Sequence, residues 1–159
     1  MMKECRFKAT RLIADYFEEK GLEYDIIDGL DYQSVTTIYF IGIIPVVVNF
    51  ISKDDNNDVF MRAFGFIINT PEERRSRVLE TCKICDRRFR FLKFNLDEDG
   101  DVFASYDFPP EIPDEVVGKI ALEMLIRTQD ILPVAHKYFV KALTTDEELN
   151  DYSALNVVE

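Results

Sequence analysis

Apolar residues change period several times along the chain, and each change marks an element. Cys5, Ala9, Leu12, Ile13, Tyr16 and Phe17 recur at helical spacing, predicting a first helix that Gly21 ends as a left-handed cap. From Leu22 to Ile68 the pattern becomes β-branched and aromatic runs parted by polar turns. It predicts strands over 23–27, 35–41, 46–52 and 59–67. The separators are Asp28 to Asp31, the Gly42 to Pro45 region, and Lys53 to Asp58. Pro45 has no N–H for a ladder, so it marks a strand start, a bulge or a sheet edge.

A second helix is announced by Thr70, Pro71, Glu72 and Glu73, a threonine N-cap with proline at the first helical position and glutamate three after the cap. The pattern carries it from Pro71 to about Arg88. A hairpin follows, with strands over 90–96 and 102–108 around Asp97-Glu98-Asp99-Gly100-Asp101. Pro109, Pro110 and Pro113 form a stiff link. Beyond it Val117, Ile120, Ala121, Met124 and Ile131 share one helix face, which Pro133 is expected to kink or end. Val134, Ala135, Tyr138, Phe139, Ala142 and Leu143 then form a further apolar face. Thr145 to Glu148 repeats the threonine-x-x-glutamate pattern and predicts one more short acidic helix.

No repeat, low-complexity tract or linker divides the chain, so residues 1–144 read as one domain and 145–159 as an acidic C-terminal tail. The order α-ββββ-α-ββ-αα indicates an α+β fold, an antiparallel sheet of about five to six strands with helices packed on it. The strand and helix alternation of a parallel doubly wound sheet is missing.

Composition narrows the function. Of 159 residues 47% are hydrophobic, enough for a real core. Thirty acidic residues against nineteen basic ones leave a charge of −11, a field that repels phosphate backbones and anionic lipid, so neither nucleic acid nor membrane is an expected partner. The longest apolar run, Ile38 to Val48, has eleven residues, far below the roughly 18 that a membrane-spanning helix needs. Met1 to Thr10 holds no apolar stretch of signal-peptide length, and the odd cysteine count is no disulfide framework. The expected compartment is the reducing cytoplasm.

No motif names a reaction. Cys82-Lys83-Ile84-Cys85 suggests a redox pair or half a zinc site, but Val78, Cys82, Cys85 and Phe89 fall on one helical stripe, where cysteines act as small hydrophobes. The acidic turn from Asp97 to Asp101 departs from the calcium-loop pattern: counted from Asp97, glycine comes fourth and Phe108 stands twelfth. His136, the only histidine, has no triad pattern around it. No catalytic residue, cofactor or metal ligand is therefore expected.

Two surfaces remain as partner-binding candidates. Between Arg74 and Lys93 eight basic residues face only two acids, while both flanking segments are acidic. Arg74, Arg77, Arg87 and Arg88 would there meet an acidic partner, or else pair with acids on neighbouring elements. Arg88-Phe89-Arg90-Phe91 would, as strand, place both rings on one face and both arginines on the other. The second surface is Ile41, Ile43, Ile44 and Val46 around Gly42 and Pro45. As a strand covered on both faces this stretch is core, the expected reading, and as a turn it is an exposed partner site.

From Cys82 to Tyr106, a helix running into Arg88-Phe89-Arg90-Phe91-Leu92-Lys93-Phe94-Asn95-Leu96-Asp97, the Gly100 turn and Val102 to Tyr106 resemble the YbjN-type domain family of bacterial proteins. This chain has Cys82 and Cys85 where that family often has asparagines. The resemblance implies a fold similar to type III secretion chaperones, often dimeric, binding polypeptides without catalysis. The function expected is a protein- or peptide-binding module of regulatory or chaperone-like character, working as a homodimer. The alternative is a thiol- or metal-dependent sensor or enzyme using Cys82 and Cys85.

Overall fold

The computed structural model describes residues 4–149. Its elements are α1 (Lys8–Glu19), β1 (Asp25–Asp28), β2 (Gln33–Ile41), β3 (Ile44–Ser52), β4 (Val59–Ile67), α2 (Arg75–Arg88), β5 (Lys93–Leu96), β6 (Val102–Asp107) and α3 (Asp114–Thr144), with a 3-10 turn, Glu72–Arg74, before α2. The six strands form one antiparallel sheet in the order β1-β2-β3-β4-β6-β5. The expected α+β class is the observed one. No described helix is long and apolar enough to cross a membrane.

Strand alternation explains why the helices collect on one side. Val35, Thr37, Val46, Val48, Phe50, Val59, Met61, Ala63, Val102 and Ala104 are buried at every second position, so one face of each strand requires a cover. α1, α2 and α3 supply it. The rings beneath form two groups. Phe17 meets Phe50 edge-on at 5.7 Å and Phe50 meets Phe108 at 6.3 Å, while Phe66, Phe94 and Phe139 lie 6.0–6.5 Å apart under the other half of the sheet. Each fully buried aromatic contributes about 2–3 kcal/mol by transfer from water.

The last helix departs from expectation. Pro133 neither ends nor splits it, so the predicted helix pair is a single 31-residue helix. Its buried positions run from Val117 to Ala142, and this burial outweighs the one backbone bond that proline removes. Five residues before Pro133 the hydroxyl of the half-buried Tyr39 of β2 donates to the Thr128 carbonyl at 3.0 Å. Burial pushes that phenol up to about 12, so it remains a donor throughout the physiological range.

Other boundaries moved as well. Cys5 lies before α1, which starts at Lys8 and ends at Glu19, with Gly21 just beyond it in the expected positive φ of 71°. The Thr70 cap is not made: its hydroxyl has no partner among the described residues, its N–H donates to Gly100 O at 2.8 Å, and a 3-10 turn opens the helix instead. β5 begins only at Lys93, because Phe91 takes φ 74° and breaks the run from Arg88. Phe89 is buried and Phe91 exposed, so the two rings do not share a strand face. Residues 145–149 form no helix, and the rest of the predicted tail, 150–159, lies outside the described residues, as do 1–3.

Gly118 sets how closely α3 approaches α1. A Cβ there would stand 2.4 Å from Tyr16 Cβ, well inside contact distance. Gly118→Ala should therefore destabilise the fold by about 1–3 kcal/mol despite alanine's better helix propensity. Urea unfolding beside the native protein checks this, and an unchanged or raised midpoint would contradict the close crossing.

Candidate functional site

With the helices on one face, the other face of the sheet is left without a covering layer among the described residues. Its composition is unusual for a wet surface. Ile38 of β2, Val47 of β3, Phe64 of β4 and Phe103 of β6 stand in one cross-strand row, and Phe40 pairs with Pro45 in the next. A polar row, Thr36, Asn49, Arg62 and Ser105, runs beside it. Beyond that lie Ile27, Ser34, Ile51 and Phe60. Ile38 is 58% exposed and Phe40 64%. The Arg62 guanidinium sits 5.0 Å from the Phe103 ring centre and 5.6 Å from that of Phe60, so the central cation of the polar row, which ends in Asp25 on β1 and Lys93 on β5, lies across the aromatics.

The β2–β3 hairpin carries the face past its end. Ile41 pairs with Ile44, leaving Gly42 and Ile43 as a two-residue turn. Gly42 has φ 62° and Ile43 keeps a negative φ, the type II′ arrangement that matches strand twist. Ile43 is 94% exposed at the tip.

This corrects the expected core placement of the stretch. Among the described residues the sheet is covered on one side only, so the continuous apolar run splits by parity and turn rather than burying whole. Ile41 and Ile44 are half-buried, Val46 is fully buried under the helices, and Ile43 alone of the four is exposed. Ile38, Phe40 and Phe64, which complete the exposed surface, escaped the sequence reading. The signal was present in Phe60, Arg62 and Phe64 alternating with Met61 and Ala63, but only the strand pairing shows that these residues lie beside Val47.

Only the first part of the basic segment is engaged by the rest of the fold, while Lys83, Arg87, Arg90 and Lys93 are exposed. Arg74 donates to Thr145 O at 2.8 Å and to Asp146 Oδ1 at 2.9 Å, and Arg77 donates to Ala142 O at 3.1 Å and Glu147 O at 3.0 Å. Both serve the C-terminal end of α3, whose last carbonyls lack helical partners. Arg87 is exposed and Arg88 half-buried at the far end of α2, so the four arginines do not form one patch. Phe91 lies exposed beyond them with the Arg127 guanidinium 4.4 Å from its ring centre.

Cys82 and Cys85 are buried on the inner side of α2. Burial pushes the Cys82 thiol up to about 12 and raises Cys85 as well, with Asp86 adding to both. No cluster of three His, Cys, Asp or Glu able to hold a metal occurs among the described residues. The Asp97 carboxylate accepts from the N–H groups of Asp99 and Asp101, each at 2.9 Å, and so organises its own turn. His136 is half-buried, and burial lowers its pKa.

Compared with known proteins, the chain matches no family model and no curated sequence.

Thiol chemistry gives a direct check on the helix placement. At pH 8 a thiol reagent should modify the half-buried Cys5 and leave Cys82 and Cys85 intact, all three reacting once the protein is denatured. Rapid reaction of two or three thiols in the native state would contradict their burial.

Proposed function

We propose that this protein is a non-enzymatic, cytoplasmic protein-binding module of regulatory or chaperone-like character, working as a homodimer. The observation that carries the reading is the uncovered apolar face of the sheet. Soluble surfaces scatter large apolar groups singly, whereas here Ile38, Val47, Phe64 and Phe103 adjoin one another across four strands. A partner polypeptide removes that area from water, and Thr36, Asn49 and Arg62 supply polar contacts within it. The net charge of −11 keeps a molecule with such a face from coalescing with its neighbours. The resemblance of residues 82–106 to YbjN-type domains points the same way. Cys82 and Cys85, the basis of a thiol or metal sensor, receive no support from their buried, high-pKa setting.

Immobilised full-length protein should retain a defined polypeptide from an extract of its own host, and Phe64→Arg should weaken that retention at least tenfold. Phe64 is partly exposed, so circular dichroism should stay native in the variant. Equal retention by both proteins would contradict a binding role for this face.

A further inference from the structure

β1 covers only part of the β2 edge. Its pairing ends at Asp25 opposite Thr36, so Thr37 to Ile41 have β3 on one side and no strand on the other among the described residues. Backbone parity shows what that edge offers. In an antiparallel ladder, alternate residues turn both N–H and C=O toward the same neighbour. Ile41 and Ile44 flank a two-residue turn, so the odd-numbered residues of β2 bond to β3. Gly29 N–H donates to Tyr32 O at 2.9 Å, which assigns the even-numbered residues to the β1 side. Ile38 and Phe40 therefore aim their amides and carbonyls off the sheet.

The opposite edge is treated differently. β5 is four residues long, carries Lys93, and has its Phe94 N–H occupied by Asp86 Oδ1 at 2.7 Å. Short length, charge and an internal cap are the ordinary means of blocking strand addition. The open part of the β2 edge is only one residue longer than β5, but among the described residues it has neither charge nor cap. From Tyr32 to Ser52 no charged residue occurs, in a chain whose charged fraction is 31%.

We infer that a second copy of this chain pairs with the first along the open half of β2, antiparallel about a two-fold axis at Tyr39, joining the two sheets into one. This deepens the homodimer reading and rests on it. Several features select a second copy as the occupant. Two molecules of charge −11 repel, and the charge-free hairpin is where they can approach with least cost. Within it, pairing Ile38 with Phe40 of the second copy lets both outward-facing backbone pairs bond at once. The same register sets Ile41 of one copy opposite Thr37 of the other, so that the Gly42–Ile43 tip abuts the start of β1 at Asp25. A groove of about 800 Å³ opens at that point, lined by Leu22, Tyr24, Ile26 and Thr37 among others. Thr37 is 7% exposed, and its hydroxyl finds no partner among the described residues. An exposed isoleucine and an apolar-floored groove thus meet reciprocally, as a two-fold interface requires.

The full-length double variant Ile38→Cys/Phe40→Cys should form intermolecular disulfides under mild oxidation, since bonded antiparallel pairs hold Cα atoms about 5.5 Å apart. Either single variant should cross-link far less. Acidic Glu18, Glu23 and Asp25 also line the groove, so charge at the tip has a sign-dependent effect. Ile43→Glu should raise the dimer dissociation constant at least tenfold in sedimentation equilibrium, and Ile43→Lys should not. Both substitutions fall on an exposed turn residue, so a folding defect is not the expected cause. A dimer that forms no 38–40 cross-link, or that cross-links instead through Phe64→Cys on the sheet face, overturns this interface and leaves the homodimer standing. A monomer at 100-micromolar concentration, on the order of weak dimer affinities, overturns both the interface and the homodimer reading.

Discussion

The six described strands share one core, and the three described helices lie on the same side of the sheet. An antiparallel sheet tolerates this because each strand can alternate an inward apolar residue with an outward one. The inward set is complete: Val46, Val48 and Phe50 on β3 are fully buried, as are Met61 and Ala63 on β4. The outward set then has to face water or a partner. Its aromatic and β-branched content is the cost of a strand-rich sheet that has no second layer among the described residues.

α3 holds the arrangement together by reaching nearly everything else. Gly118 lets α1 cross close to it, Tyr39 ties it to β2, and Tyr138 and Phe139 fill the space below β4, β5 and α2. Its far end is gripped by Arg74 and Arg77. What looks in the sequence like a basic docking strip is therefore in part the C-terminal cap of a long helix. The charges were real, but their partners are backbone carbonyls some seventy positions further along the chain, and no local pattern reveals an acceptor that every residue carries.

Elements with a local cause were legible. The Gly21 stop, the β4 limits at Val59 and Ile67, and the buried stripe holding Cys82 and Cys85 follow from backbone conformation and periodicity alone. Where tertiary contacts decided, the sequence reading failed. Pro133 sits inside α3 because burial on several sides holds the helix through it, and Thr70 is tied by its N–H to the β5–β6 turn while its hydroxyl makes no cap. The exposed face was half legible: each strand's alternation can be read singly, but adjacency among Ile38, Val47 and Phe64 exists only once the strands pair. The same holds for the open edge, which depends on where β1 stops rather than on anything β2 itself contains.

The position of α3 in chain order has a kinetic consequence. Every strand precedes it, and their inner face stays uncovered until residues up to about Ala142, the last buried position of the helix, are available. At roughly 5–20 residues per second of synthesis, the strands wait on the order of seconds beside the ribosome before the helix that closes them has emerged. Long-range pairing of this kind is slow in itself. During that interval the bare β2 edge and the unfilled core are exposed together, so assembly with another molecule is safest only after α3 has docked.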